Sequence, residues 1–213
     1  VGHIVNGQRA RLQGFISVEA REGHLRRGNE PQVVLLIVDA TEGALSMDAQ
    51  IAHHIVDSGR ACVVLLNKWD LVEKDTKTAQ EWTKKVRERI PFLQWVPMVF
   101  TSALTGQRVR RCLDLIFEVN DERSRRIETH EVNEVLRTLV GRQPPPHHRG
   151  RPVKIKYGTQ VGVRPPVFTL FADFPKAIPD LYIRYLHNGF RDAWAFMGTP
   201  IRIRIRSGKD DPS

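Results

Sequence analysis

The residues Asn67, Lys68 and Asp70 stand directly after Ala61–Leu66, a run of six apolar residues that predicts a buried β-strand. An open α/β sheet binds its ligands beyond the carboxyl ends of its strands, so these polar side chains occupy a position suited to a ligand site. A carboxylate accepts hydrogen bonds from paired N–H donors, and the aliphatic stem of a lysine can lie across a planar group. The tetrapeptide 67–70 is therefore the first candidate site in the sequence.

A second candidate loop, Thr101–Leu104, follows the next predicted strand, Val96–Phe100. The two loops are about one α/β repeat apart, and parallel strands carry their carboxyl ends at the same edge of a sheet. We therefore expect the two loops to meet. The alternative is that both are ordinary strand-to-helix turns in which Asn, Asp and Ser act as caps.

The pattern Asn-Lys-x-Asp at 67–70 resembles the guanine-specificity motif of translation-factor-like GTPases. The resemblance implies that the carboxylate accepts the N1–H and N2 amine of guanine, a pair of donors that adenine lacks. It also implies that the asparagine braces the loop and meets N7, that the lysine stem lies over the base, and that a backbone N–H of the second loop meets O6. The guanine-binding residues expected on this basis are Asn67, Lys68, Asp70, Ser102, Ala103 and Leu104.

The segment 31–125 alternates predicted strands and helices, which is typical of a doubly wound parallel α/β sheet. Besides the two strands above, the predicted elements are a strand Val33–Val38 and helices at 48–58, 76–89 and 105–119. In the last of these helices, Val109, Leu113 and Ile116 are expected to face the core. Residues 1–30 show no sustained periodicity, and no structure is predicted for them.

A helix at 129–141 and a proline-rich linker, together 126–150, precede a second, smaller α+β domain at 151–208. Its predicted elements are strands Val153–Gln160 and Val167–Ala172, a helix Ile178–Met197 and a strand Ile201–Arg206. The helix carries one apolar stripe that includes Leu181, Tyr182 and Phe190. In the last strand isoleucine alternates with arginine, so one face is expected to pack on the helix while the other presents cations. The tail, 207–213, is expected to be frayed.

The two domains together resemble the Der (EngA) family of GTPases over roughly residues 31–206. The resemblance is carried by Val33–Gly43, Asn67–Asp75, Thr159–Val161, Arg164–Pro166, Tyr185–Asn188 and Gly198–Arg202. It matches the second half of the second GTPase domain and the whole KH-like domain. The implied fold is an incomplete P-loop GTPase-like sheet followed by a KH-like domain. The implied role is assembly of the large ribosomal subunit in the bacterial cytoplasm, or alternatively in a plastid, with ribosomal RNA rather than DNA or a membrane as partner.

The phosphate half of such a site has no match in the sequence, because no G-x-x-x-x-G-K-[ST] loop occurs in it. The string Gly2–Arg9 has the glycine spacing, but Gln8 and Arg9 replace the required lysine and hydroxyl. The later string Gly208–Asp210 lacks the first glycine and the hydroxyl, which argues against a circular permutation. We therefore expect weak GTP or GDP binding, or none, with no catalytic residue in this chain and Mg²⁺ only in the complete family protein.

The basic residues concentrate in the second domain. The chain has a formal net charge of +9; residues 121–213 hold seventeen basic and ten acidic residues, a net +7, whereas residues 31–120 hold eleven of each. This distribution indicates contact with a polyanion, and without a Gly-x-x-Gly loop that contact is expected through charge. The RNA-contact candidates are Lys154, Lys156, Arg164, Arg184, Arg191, Arg202, Arg204 and Arg206. The alternatives are a solvated cationic face, a face that docks on the GTPase core, and a non-enzymatic RNA- or ribosome-binding module that retains a GTPase remnant.

The remaining residues that could bind metal lack the required spacing. Cys62 and Cys112 stand in apolar surroundings, and the histidine pairs at 53–54 and 147–148 are adjacent in sequence, so neither a metal site nor a disulfide is predicted. No apolar stretch reaches the roughly 20 residues of a membrane span, and no secretory leader is recognised.

Overall fold

The computed structural model describes the backbone of residues 15–18 and residues 33–208 in full. The Gly2–Arg9 string, most of the segment 1–30 and the last five residues lie outside the described residues. Contacts between residues divide the chain into two compact units. The first extends to Glu122 and includes Met197–Thr199, and the second comprises 123–196 and the residues from Pro200 onward.

The first unit is built on a four-stranded sheet. Its strands are β1 Phe15–Val18, β2 Val33–Asp39, β3 Ala61–Asn67 and β4 Met98–Phe100, in the order β1-β2-β3-β4. The pairs β2–β3 and β3–β4 are parallel, as the sequence predicts. The edge strand β1 is antiparallel to β2 and was not predicted, because its four residues lie in a segment without sustained periodicity.

Helices cover both faces of this sheet, which confirms the doubly wound architecture. They are α1 Ser46–Asp57, α2 Thr78–Arg89 and α3 Val109–Ser124. Along β2, the side chains of Val34 and Leu36 join a core cluster with α1 and α2, whereas those of Val33 and Leu35 join a cluster with α3. A strand buried on both faces requires the continuous apolar run that the sequence shows.

The packing face predicted for α3 is wrong at two positions. Val109 and Leu113 are 44% and 49% exposed, while Cys112, Ile116 and Val119 are buried. The helix begins at Val109 rather than at 105, and it carries a second apolar row that includes Phe117 and points outward. Two rows with the same helical period fit the sequence pattern equally well, so periodicity alone did not identify the buried one.

The second unit has the predicted order helix, strand, strand, helix, strand. Its elements are α4 Thr129–Arg142, β5 Ile155–Gly162, β6 Val167–Ala172, α5 Asp180–Trp194 and β7 Arg202–Ser207. The sheet order is β5-β6-β7, with β5 antiparallel and β7 parallel to the central strand β6. No helix among the described residues is long and apolar enough to cross a membrane.

The helix α5 packs through Tyr182, Leu186, Phe190 and Trp194, all of them buried. Leu181, predicted on the same stripe, is 73% exposed, because it lies next to Tyr182 and successive helical residues are about 100° apart. Gly189 faces α4 so closely that an added Cβ would overlap the methyl groups of Leu139. The hydroxyl of Tyr185 donates to the carbonyl of the same leucine at 2.8 Å, so the two helices are joined beside the glycine.

The buried side chain of Gln160 joins the start of the second unit to β5. Its Oε1 accepts the Ile127 N–H at 2.6 Å, and its Nε2 donates to the carbonyls of Arg125 and Gly162 at 3.0 and 3.1 Å. Gly158, two residues earlier in β5, is buried where a Cβ would overlap Leu170. The glycines at 158 and 162 therefore belong to a strand and do not form a loop that could clamp an RNA backbone.

Candidate functional site

The two predicted base-contacting loops are joined by hydrogen bonds. Asn67 is the last residue of β3, and its Oδ1 accepts the backbone N–H of Ala103 at 3.0 Å. The N–H of Trp69 donates to the carbonyl of Thr101 at 3.0 Å. The structure thus brings the loops together as the parallel strand order requires.

Lys68 is held across the carboxyl ends of two neighbouring strands. Its backbone is left-handed, with φ 61° and ψ 31°, and its Nζ lies 2.6 Å from Oδ2 of Asp39, the last residue of β2. Asp39 is only 6% exposed, and its Oδ1 accepts the N–H and the hydroxyl of Thr41 at 2.8 and 2.7 Å. Burial by itself would raise the pKa of Asp39, but the bonds from Lys68 and Thr41 outweigh it and hold that pKa below its ordinary value.

Sequence reasoning missed this aspartate as a site residue. The signal was nevertheless present, since Asp39 and Asn67 are the first polar residues after two apolar runs of equal length. The register of the sheet pairs them directly.

The carboxylate of Asp70 has unused capacity to accept hydrogen bonds. It lies in a 3₁₀ turn, Trp69–Leu71, and its Oδ1 is buried without a hydrogen-bond partner among the described residues. The turn is fixed by Trp69, which is buried and packs against Phe100 with ring centroids 4.3 Å apart. A buried acceptor without a donor destabilises the fold by about 1–3 kcal/mol, so a hydrogen bond from an N–H donor of a ligand would be favourable there.

The second loop is organised mainly by its own hydrogen bonds. Ser102 is fully buried; its Oγ accepts the Thr105 N–H at 3.1 Å, and its N–H donates to the Gln107 carbonyl at 3.2 Å. Ala103 and Leu104 are exposed at the tip. Because the Ala103 N–H is donated to the Asn67 side chain, contact with a base oxygen requires that this bond be shared or broken.

The residues predicted to contact a guanine base lie together at the carboxyl ends of the strands, and no phosphate-loop string accompanies them in the sequence. The 213 residues contain no G-x-x-x-x-G-K-[ST] string. Within the described residues, no group of three His, Cys, Asp or Glu side chains could hold a metal ion. The chain therefore supplies groups that could orient a base, together with one ammonium, Lys68, at the strand ends.

The basic candidates of the second unit differ in their exposure to solvent and in their contacts within the protein. Arg202, Arg204 and Arg206 are exposed side by side on one face of β7, while the isoleucines between them pack against the core. Lys154 and Arg184 are also exposed. The alternating strand thus collects three of the eight candidates on a single face.

The other three candidates are engaged within the protein. Lys156 forms an ion pair with Asp173 at 2.9 Å, and Arg164 donates to the Ser124 hydroxyl at 2.9 Å. Arg191 donates to the carbonyls of Ala195 and Phe196 at 2.8 Å each, at the end of α5. These bonds close the end of the helix, and burial lowers the pKa of Arg191 to about 9.

Comparison with known proteins agrees with both halves of this description. Residues 126–206 match the model of the KH-domain-like C-terminal region of EngA bacterial GTPase enzymes, and residues 25–122 match that of the elongation factor Tu GTP binding domain. GTPase Der of Gemmatimonas aurantiaca is 46% identical over 175 residues, 82% of this chain and 40% of the relative. GTPase Der of Trichormus variabilis is 42% identical over 196 residues, 92% of this chain and 43% of the relative.

The chain belongs to the GTPase Der (EngA) family. This confirms the resemblance drawn from the sequence motifs. The Der-family chain spans about two fifths of the length of these curated relatives. A crystal structure of Aquifex aeolicus Era bound to GDP and AlF4⁻ aligns with a TM-score of 0.38 at 18% identity, covering 84% of this chain and 65% of that one. At that TM-score and identity, the alignment supports no functional conclusion for this chain.

Proposed function

We propose that this chain is the guanine-reading and RNA-binding portion of a Der-type GTP-binding protein that acts in assembly of the large ribosomal subunit. The observation that carries the guanine half is the buried Oδ1 of Asp70 beside the joined loops, which has no hydrogen-bond partner in the described part of the chain. Guanine presents N1–H and its N2 amine side by side, and a carboxylate accepts both. Adenine would leave this carboxylate unpaired, which is the basis of discrimination.

Each residue at the strand ends has a different role in binding the base. Asp70 selects guanine, Lys68 lays its stem along the ring plane while Asp39 holds its ammonium, and Asn67 joins the two loops. Mg²⁺ and a phosphate loop, where present in a complete protein of this family, supply the charge stabilisation for phosphoryl transfer. Without those groups, the residues of this chain bind GTP or GDP weakly and do not hydrolyse it.

Calorimetry on the whole chain tests the guanine half. GDP and GTP with Mg²⁺ are expected to bind more weakly than micromolar, yet more tightly than ADP and ATP. Asp70→Asn should abolish the preference for guanine, whereas Glu73→Gln, a matched change at an exposed acid three residues away, should leave it unchanged. Sub-micromolar affinity for GTP would overturn the proposed weakness, and equal affinity for ADP and GDP would overturn guanine recognition.

The RNA half of the proposal is supported by the three exposed arginines of β7 in the more basic unit. Phosphate contacts of this kind give affinity with little sequence choice and a steep dependence on salt. The expected partner is the large ribosomal subunit and its RNA, and the expected compartment is the bacterial cytoplasm, with the plastid as the alternative. The same arginines favour a second candidate function, a non-enzymatic RNA- or ribosome-binding module that needs no nucleotide.

Titration of ribosomal RNA at several salt concentrations tests this half. Each phosphate contact removed should lower the slope of log affinity against log salt by roughly 0.7 to 0.9, so Arg204→Ala with Arg206→Ala should lower it by about 1.4 to 1.8. Arg110→Ala, at an exposed arginine of the first unit, is the control and should change nothing. A wild-type slope near zero would refute binding through charge. Affinity that rises with GTP would favour the Der-type role over the nucleotide-independent module.

A further inference from the structure

The three-stranded sheet of the second unit has one face that neither helix of the unit covers, which we call the open face. Both helices of the unit pack on the opposite face, where Phe168 and Leu170 of β6 lie in the core cluster with α4 and α5. The strand register places Tyr157, Phe171 and Arg206 in one row across the open face. A second row holds Thr159, Thr169 and Arg204, of which the central Thr169 is buried. The open face therefore combines aromatic rings with the arginines of β7.

The two rings of the first row form a stacked pair. Their centroids are 4.5 Å apart and their planes differ by 18°, and Tyr157 is 37% exposed on the edge strand β5. A cross-strand aromatic pair stabilises a sheet by itself, and that role does not require an exposed ring. Phe171 stacks on one side of the Tyr157 ring, and the 37% exposure of Tyr157 leaves part of its surface open to a third planar group.

Two cations of the face, Arg204 and Arg206, have no partner among the described residues. Arg204 and Arg206 are exposed, and neither side chain forms a hydrogen bond or ion pair with any residue of the described ranges. The residues that the register assigns to the face are Tyr157, Thr159, Val167, Thr169, Phe171, Arg202, Arg204 and Arg206. None of these is acidic. Neighbouring strands are about 4.8 Å apart, so the arginines of β7 lie roughly 10 Å across the sheet from Tyr157.

We propose that this face binds single-stranded RNA, with a nucleobase stacked on Tyr157 and backbone phosphates at Arg204 and Arg206. An aromatic platform beside cations is the general means of binding unpaired nucleic acid, because every base has a π-face and every linkage a negative charge. In a duplex the base faces are buried against each other and cannot reach the ring. This inference rests on the proposed RNA binding of the second unit and adds the strand state and the base contact.

Fluorescence anisotropy with the whole chain tests the proposal. The probes are a labelled twelve-nucleotide oligoadenylate and a labelled RNA hairpin with the same number of phosphates. The single strand is expected to bind at least 10-fold more tightly. Tyr157→Ala should weaken single-strand binding roughly 5- to 140-fold, in line with the range for one stacked base, and leave hairpin binding unchanged. Tyr157→Phe should retain the affinity because it keeps the ring.

Two further variants separate the ring from its packing. Tyr157→Leu keeps apolar bulk beside Phe171 and should lose single-strand affinity as the alanine variant does, with an unchanged circular dichroism spectrum. Phe117→Ala removes an exposed ring, 59% exposed, from the first unit and should have no effect. Retention of full affinity in the folded Tyr157→Leu variant would overturn the stacking contact.

The outcomes also distinguish this inference from the function on which it rests. If the wild-type chain binds neither probe at low salt, RNA binding itself fails. A second outcome is that both probes bind equally, that the Tyr157 variants have no effect and that Arg204→Ala weakens binding of both. In that case binding through charge is supported and the stacking site is refuted. If polyglutamate displaces the single strand at equal charge and the Tyr157 variants are silent, the face is a site for an acidic protein and the inference is overturned.

Discussion

The hydrogen bond between the Ala103 N–H and the Asn67 side chain allows two roles of this asparagine to be separated. Asn67→Ala removes the acceptor that joins the loops. Asn67→Asp keeps an oxygen in the same place, adds a negative charge and removes the amide donors, which are the groups that could reach the N7 atom of a base. We expect the alanine variant to loosen the second loop and the aspartate variant to leave it in place.

The magnitude follows from the exposure of the bond. Ala103 is exposed and Asn67 is half-buried, so the net contribution is that of an ordinary hydrogen bond, about 0.5–1.5 kcal/mol. At 1.4 kcal/mol per factor of ten, exchange of the Ala103 amide with solvent should accelerate by roughly 2- to 12-fold in Asn67→Ala. The separate bond from Trp69 to Thr101 keeps the loops adjacent, so no larger change is expected.

Amide hydrogen exchange measured by NMR, residue by residue, is the assay. The Trp69 amide serves as an internal control and should exchange equally in all three proteins. Unchanged exchange at Ala103 in the alanine variant would refute the reasoning, as would equal acceleration in both variants. If Asn67→Asp then weakens GDP binding while Ala103 stays protected, the loss arises from the changed side chain at 67 and not from a displaced loop.

Two other predictions concern stability. Gln160→Leu should lower the free energy of unfolding of the second unit by about 2–4 kcal/mol, because three hydrogen bonds are lost and the Ile127 N–H is left unpaired. Urea denaturation followed by Trp194 fluorescence measures this change. A loss below about 0.5 kcal/mol would contradict the prediction. The pKa of Asp39 is lowered, so its ionised form stabilises the first unit above about pH 4, and this contribution should disappear as the pH falls below that value. Asp39→Asn should flatten that part of the stability–pH curve, and an identical curve for the variant would exclude the ion pair with Lys68 as its cause.

The sequence predicted those elements of the fold that correspond to an uninterrupted run of apolar residues. The apolar runs 33–38 and 61–66 have the length and composition of buried parallel strands, and each extends in the structure by a single polar residue, Asp39 or Asn67. The buried face of α3 was wrong because Val109, Leu113 and Phe117 form an apolar row as regular as the buried one. Only the position of the sheet decides between two such rows, and that is a tertiary property.

The sequence predicted which loops form the candidate site, but it did not predict the hydrogen bonds and the ion pair within the site. Strand-end position brought Asn67 and Ser102 to the same edge, as expected. The partner of Lys68 could not be read from the sequence, because the ion pair depends on the register that sets Asp39 against Asn67. The use of the Ala103 N–H within the protein likewise depends on a distance that no spacing in the sequence encodes.

The contact between Gly189 and Leu139 has a consequence for how this domain can evolve. Since any side chain at 189 would occupy the space of the leucine methyls, the two positions cannot drift independently. A lineage that acquires alanine or serine at 189 must reorient or shrink residue 139, or separate the helices, and separation would break the bond from the Tyr185 hydroxyl. Among family members the two positions should therefore covary in volume, small opposite large, and their summed size should stay nearly constant.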